Sequence, residues 1–339
     1  MKPVRSSSLY GETMNTSKAS FGSVVPRGDV PFLVACLTAM TLIAALAAQA
    51  ADTSNTGRKF TTPEEAVAAL QAATTTADTN AIRDVLGAAS EDLLNPDRIQ
   101  ATNELATFSA ALARTNHLLR ASDNLVILEM GDDLWPFPVP IARRDGGWSF
   151  DTETGKDELL NRRIGRNELG TVQVMREYVE AQREYASSDH DGDEILEYAQ
   201  RLVSSPGKQD GLYWPPDLDV TLSPLGPLVA FAQMEGYSPE LRAEDEAERG
   251  PYHGYYFKIL PRQGKHARGG KYNYVINGNM IAGFALVAWP ADYGTSGIMT
   301  FLVNQQGRVF QKDLGPKTSR LASKMDEFDP DPSWKLSPD

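Results

Sequence analysis

Apolar positions recur along the chain at helical spacing first and at strand spacing later. Thr62-Pro63-Glu64-Glu65 predicts a helix start: Thr62 caps, Pro63 suits the first helical position, and Glu65 completes the capping box. Ala66, Val67, Leu70 and Ala73 follow at steps of three and four, the stripe of a helix with one buried face. A short second helix is predicted around Asn80 to Leu86. A third runs from about Arg98 to His117, with Leu105, Phe108, Leu112 and Leu119 at near-helical spacing. Leu125 to Glu129 reads as a strand. The run Trp135-Pro136-Phe137-Pro138-Val139-Pro140 cannot be a central strand, because proline donates no ladder bond. Val139 to Arg143 and Trp148 to Asp151, joined at Asp145-Gly146-Gly147, read as a hairpin.

The next helix is predicted from Arg166 to Ala186. Leu169, Val172, Met175, Val179, Gln182 and Ala186 mark one face, and Tyr178 and Tyr185 broaden it. A further helix, Glu194 to Val203, follows the acidic loop 189–193 and ends at Ser205-Pro206-Gly207. A short helix is expected from Pro227 to Gly236, then a highly charged surface segment over 240–249. From Pro251 the pattern is β: Tyr255 to Leu260, Tyr272 to Ile276, Ile281 to Ala288, Gly297 to Val303 and Arg308 to Leu314. Short connections between them require antiparallel neighbours, since a parallel pair needs a longer crossover. The expected fold class is α+β. N-terminal helices with a curled antiparallel sheet precede a long amphipathic helix and a C-terminal antiparallel β-meander. The expected divisions are a leader at 1–50, a linker at 51–59, an N-terminal domain at 60–160 and a helix-plus-meander domain at 161–335.

The first 50 residues set the expected compartment. Phe32 to Ala48 is uncharged and almost wholly apolar. It ends in Ala48-Gln49-Ala50, the small-x-small pattern of a signal-peptidase site, and Lys18 and Arg27 supply the positive flank. Cleavage near Ala50 predicts a periplasmic or secreted protein. A membrane association is expected if the leader is retained, or if Cys36, the one cysteine, carries lipid in Leu33-Val34-Ala35-Cys36. Cleavage would leave no thiol, hence no disulfide and no cysteine nucleophile. The formal charge of −12 argues against a nucleic-acid partner, which needs a Lys/Arg excess to neutralise phosphates.

Four groups of residues carry candidate chemistry. Asp189-His190-Asp191-Gly192-Asp193 sets carboxylates at alternate positions, as at the start of a calcium loop, and Glu197 can add a ligand. Glu194 and Gln200 stand where such a loop carries glycine and a bidentate glutamate. The competing reading is a solvated loop in which Asp193 caps a helix. Arg162, Arg163 and Arg166 form a basic cluster fit for an anionic ligand, or for internal pairing with Asp157, Glu158 or Glu168. His253, within Tyr252-His253-Gly254-Tyr255-Tyr256, is a candidate base or ligand, with Tyr255 beside it. Trp135, Trp148, Trp214 and Trp289 either line a groove or anchor loops to a core. Gly-x-Ser-x-Gly, Walker and GxGxxG motifs are absent from the sequence. No cofactor is expected, calcium excepted.

Three resemblances follow. Residues 60 to 155, closing on Gly146-Gly147-Trp148-Ser149-Phe150-Asp151, resemble nuclear-transport-factor-2-like domains in element order. The long helix ending Ala181-Gln182-Arg183-Glu184-Tyr185, with Gly297 to Phe301 and Gly307-Arg308-Val309, is similar to pseudopilin heads. The Gly-Phe processing site of pilins is missing, so assembly does not carry over. Phe60-Thr61-Thr62-Pro63-Glu64-Glu65-Ala66, Arg162 to Leu169, Asp210-Gly211-Leu212-Tyr213-Trp214-Pro215, Pro251 to Phe257 and Gly283 to Pro290 resemble the exported bacterial family catalogued as domain of unknown function 2950, across about residues 58 to 335. That resemblance implies export and transfers no catalytic residue. The function expected is non-enzymatic: binding or scaffolding an unidentified envelope component in a cleft between the two domains. The alternatives are a periplasmic hydrolase using His253 and distant carboxylates, and a calcium-stabilised structural module.

Overall fold

The computed structural model describes residues 57–216, 222–237 and 250–338. The expected leader, Cys36 and the charged segment 240–249 lie outside the described residues. The described residues form one compact unit.

Helix α1, Pro63–Thr75, starts where the sequence predicts. Thr62 accepts the Glu65 amide at 3.2 Å, and the Glu65 carboxylate reaches back to the Thr61 amide at 2.9 Å. Helices α2, Thr79–Leu86, and α3, Arg98–Arg114, are capped by Asp78 and Asp97, and a 3-10 turn at Ala88–Leu93 lies between them. The third helix ends before His117. Thr115 is extended, and Asn116–Ser122 is strand β1, paired in register with β2, Leu125–Met130. Leu119 fits a helical spacing, yet pairing with β2 decides its conformation. Strands β3 (Trp135–Pro136), β4 (Ile141–Arg144) and β5 (Gly147–Phe150) complete an antiparallel sheet of order β1-β2-β4-β5, with β3 also on β2. The β4–β5 hairpin forms as expected. Asp145 (φ 48°) and Gly146 (φ 79°) make its turn, and the left-handed pair matches the twist of the strands.

Helix α4, Thr152–Tyr185, starts fourteen residues before the predicted Arg166 and crosses the expected boundary at 160/161. Its 34 residues span about 51 Å at 1.5 Å each. The first half has a sparse apolar stripe and is held by close packing instead. A Cβ at Gly155 would lie 2.5 Å from the Pro138 carbonyl oxygen, so this glycine lets the helix touch the sheet connection. The helix predicted at Glu194 to Val203 does not form. The backbone there bonds outward: the Tyr198 amide to the Met280 carbonyl, and the Ala199 amide to the Gln182 side chain. Helix α5, Gly226–Met234, is short, apolar and without a buried residue.

The C-terminal sheet has the order β15-β13-β12-β11-β6, antiparallel throughout. It comprises β6 (Tyr255–Leu260), β11 (Ala285–Pro290), β12 (Met299–Asn304), β13 (Phe310–Asp313) and β15 (Lys335–Leu336). The strand expected at Tyr272 to Ile276 is divided. Its first part, β8 (Tyr272–Asn273), joins β7 (Arg262–Gln263) and β14 (Glu327–Phe328). Its second part, β9 (Val275–Ile276), pairs with β10 (Asn279–Met280). The β14–β7 pairing is parallel, which the 60-odd residues between them permit.

Two hydrophobic cores result. One lies between α1 to α3 and the first sheet, around Leu70, Leu112, Leu128 and Phe150. The other gathers the second half of α4 against β6, β11 and β12. No helix of the described residues is long and apolar enough to cross a membrane.

Candidate functional site

Helix α3, the 3-10 turn and the first half of α4 enclose an open groove of about 1060 Å³. Leu70, Leu86, Phe108, Met130, Trp135 and Phe137 form its apolar floor. The aromatic members pack together, with Phe137 centred 5.2 Å from Phe108 and 6.2 Å from Trp135. The rim is charged but internally paired: Arg83 with Glu91 at 2.7 Å, Arg114 with Asp132 at 2.7 Å and Arg166 with Glu104 at 3.2 Å. Arg166 remains 62% exposed with one contact to Glu104, so most of its donor fork faces solvent. Arg163 is held more tightly. It donates to the Leu93 carbonyl at 2.7 Å and lies 3.7 Å from Glu104.

One end of the groove is closed by His253 and Glu235, paired at 2.7 Å through Nε2. His253 and Gly254 occupy the two central positions of a tight turn, at φ 47° and 76°, and Tyr252 and Tyr255 exchange both backbone bonds across it. A histidine held in left-handed geometry costs of order 1 kcal/mol and persists because its surroundings dictate it. Those surroundings are specific. The imidazole stacks on Tyr252 at 4.3 Å, and a Cβ on Gly254 would come within 2.7 Å of Asn167 Nδ2. Asp97, 2% exposed, accepts the Gly254 amide at 3.1 Å and the Tyr237 hydroxyl at 2.7 Å while capping α3 through Gln100. Gln100 donates to Asn167 at 2.6 Å, and Asn167 to the Ser296 carbonyl at 2.8 Å. This buried polar seam joins α3, α4 and the loop before β12. Burial, and for Tyr237 the Asp97 carboxylate, push the Tyr237 and Tyr252 phenols upward.

Of the residues singled out from sequence, Trp135, Arg163, Arg166 and His253 meet at this groove. Arg162 lies outside its lining, paired with Glu158 at 2.6 Å and stacked over Trp135. Trp214 and Tyr255 are core side chains, 5% and 0% exposed, and the Tyr255 hydroxyl donates to the Met299 carbonyl. Trp148 and Trp289 are buried likewise. Glu168 does not pair with the arginines. It accepts the amides of Ile298 and Met299, both at 2.9 Å. Glu104, Glu235, Tyr237, Asn167 and Asp97 were missed by sequence reasoning. For Asp97 a signal existed: Asn95-Pro96-Asp97 before a helical run is a capping pattern.

The acidic loop is separate from the groove. Carboxylate oxygens of Asp189, Asp191 and Asp193 lie within 4.8 Å of one another, all on exposed side chains. Glu197 is not among them; it accepts the Met280 amide at 2.9 Å. The Gly192 and Glu194 amides hold the Asp189 carboxyl below the usual range. The left-handed turn is made by Gly192 and by Glu194 itself, at φ 69°. His190 is clamped between Tyr185 and Trp214 at the foot of the loop.

A two-core α+β protein with an apolar groove and a buried polar seam is what fold and site define. The profile of a family described as "Protein of unknown function (DUF2950)" matches residues 57–336, and the chain belongs to that family. No curated protein and no solved structure matches it.

Proposed function

We propose that this protein is a non-enzymatic binding protein of the bacterial envelope, holding an amphipathic ligand in the groove between α3 and α4. The observation that carries this reading is the groove itself: about 1060 Å³, an apolar aromatic floor, and a rim of ion pairs that keeps the mouth wet. Ligand sites are typically concave and mostly apolar, with few convergent polar groups. The apolar run Phe32 to Ala48, ending in Ala48-Gln49-Ala50, supports export to the periplasm. The hydrolase reading has one observation in its favour, the 2.7 Å His253–Glu235 pair in the groove. Against it, the groove hydroxyls of Thr74 and Ser90 donate to the carbonyls of Leu70 and Gly87, and the nearby phenols are pushed away from ionisation.

The test uses 8-anilinonaphthalene-1-sulfonate as the probe and 4-nitrophenyl acetate as a generic ester. Binding predicts saturable dye fluorescence that is lost in Phe108→Asp and kept in Met234→Ser, on exposed α5. Ester turnover abolished by His253→Ala would replace binding by hydrolysis. A dye signal indifferent to Phe108 would refute the groove. Cell fractionation checks export, with a periplasmic species beginning near Ala51 as the expected result.

A further inference from the structure

We propose that the glycine-rich loop joining β7 to β8, residues 264–271, binds a phosphate-class dianion at a site separate from the groove. The loop reads Gly264-Lys265-His266-Ala267-Arg268-Gly269-Gly270-Lys271 and carries no acid. Its shape is dictated from inside. Gln263, fully buried, donates through Nε2 to the carbonyls of Arg268 at 3.0 Å and Gly270 at 2.6 Å, while its Oε1 accepts the Tyr274 hydroxyl at 3.1 Å. Ala267, also buried, fixes the loop to the C-terminal core, and its carbonyl accepts the Gly270 amide at 3.0 Å. A trans peptide points its C=O and the next N–H in opposite directions. With the carbonyls of Arg268 and Gly270 drawn inward, the amides of Gly269 and Lys271 face outward. Among the described residues neither amide has an acceptor. The turn needs left-handed backbone at Gly269 (φ 96°) and Gly270 (φ 77°), which glycine adopts without strain. A Cβ on Gly270 would meet open space, so the backbone there is open to a ligand.

The charges around the loop select the ligand. Arg262 is paired with Asp326 and with Glu327 at 3.2 Å, Lys271 with Glu327 at 2.8 Å and His266 with Asp329 at 2.9 Å, so the nearby carboxylates are already occupied. Lys265 and Arg268 are exposed, and among the described residues neither has an ion pair. Outward backbone amides in a tight turn form an anion site, and Lys and Arg add charge-assisted hydrogen bonds to it. A terminal phosphate presents three oxygens and a charge of about −1.5 to −2 at neutral pH, enough for both amides and both cations. A carboxylate offers two oxygens and a single charge. The whole chain carries −12 and repels dianions at a distance, yet from Pro251 to the end Lys and Arg outnumber Asp and Glu, eleven to seven. The loop belongs to that basic part of the sequence. Free phosphate and the phosphate of a lipid headgroup share this chemistry.

The test follows the Gly269 and Lys271 amides of the purified chain by amide NMR while inorganic phosphate is added at constant ionic strength. Saturable shifts of both amides are expected with phosphate, and much weaker binding of acetate. Lys265→Gln/Arg268→Gln should weaken phosphate binding about tenfold or more, with the melting temperature kept because both side chains are exposed. Lys208→Gln/Lys335→Gln removes the same charge elsewhere and should change binding by less than about twofold. A second arm measures co-sedimentation with phosphatidylcholine vesicles containing phosphatidic acid, against phosphatidylcholine alone. Amide shifts with inorganic phosphate assign the site to free phosphate. Sedimentation without those shifts, lost in Lys265→Gln/Arg268→Gln, assigns it to a lipid headgroup, and either result upholds the proposal. No response in both arms overturns it, as does acetate binding equal to phosphate binding, or a response that Lys265→Gln/Arg268→Gln retains in full.

Discussion

The two cores solve burial differently. In the C-terminal core, β11 has all six residues buried and lies between β6 and β12, with α4 packed against the sheet. In the N-terminal core, the sheet ends in β1, whose residues are nearly all exposed, and its helices stand around a groove. One region is filled by its own side chains and the other leaves room. The open groove lies in the region that does not finish packing itself, beside the one that does.

That comparison predicts unequal sensitivity to substitution. The largest loss is expected at the seam between the cores. Asp97→Ala removes the α3 cap and strands the Gly254 amide and Tyr237 hydroxyl, a cost of about 3 kcal/mol. Urea unfolding followed by tryptophan fluorescence, with Trp148 in one core and Trp214 and Trp289 in the other, should stay a single transition, because α4 contributes to both regions. Two separated transitions would show that the cores are independent. Gly297→Ala comes next. Its Cβ would overlap the Tyr255 hydroxyl inside the filled core, and a cost of about 2 kcal/mol is expected in the same assay. Phe108→Ala, on the half-buried floor of the groove, should cost only about 1 kcal/mol while weakening dye binding severalfold.

The smallest effect is a gain. Burial, then the charges of Asp191 and Asp193, hold the Glu197 carboxyl above its ordinary range. The folded state then keeps this proton to higher pH than the unfolded chain, so the group's favourable contribution exists at low pH and disappears as pH rises through its raised value. Glu197→Gln should raise the melting temperature at pH 7 by about 1–2 °C. At pH well below the carboxylate range the gain should vanish, and a gain that persists there would place its cause in packing.

Much of the fold was legible where a segment's local preference agrees with its surroundings. The capping box at Thr62, the hairpin turn at Asp145-Gly146 and strand β6 all form as their residues suggest. The misreadings have a shared cause. Leu119 fits a helix and is strand because β2 lies beside it, and residues 194–203 suit a helix but bond to Met280 and Gln182. The candidate site divides in the same way. His253 and the arginines stood out as reactive residue types, whereas Glu104 and Glu235 became their partners through packing over long sequence distances.

By itself, then, the sequence determined the element types over most of the chain, the α+β class, the family and the acidic character. These follow from periodicity, capping chemistry and composition, which act over a few residues or over the whole chain. The tertiary structure decided the groove, the seam from Asp97 through Asn167 to Ser296, and the unpaired edge of β1. Each depends on residues distant in sequence being brought together or left unpartnered, and local spacing carries no record of that.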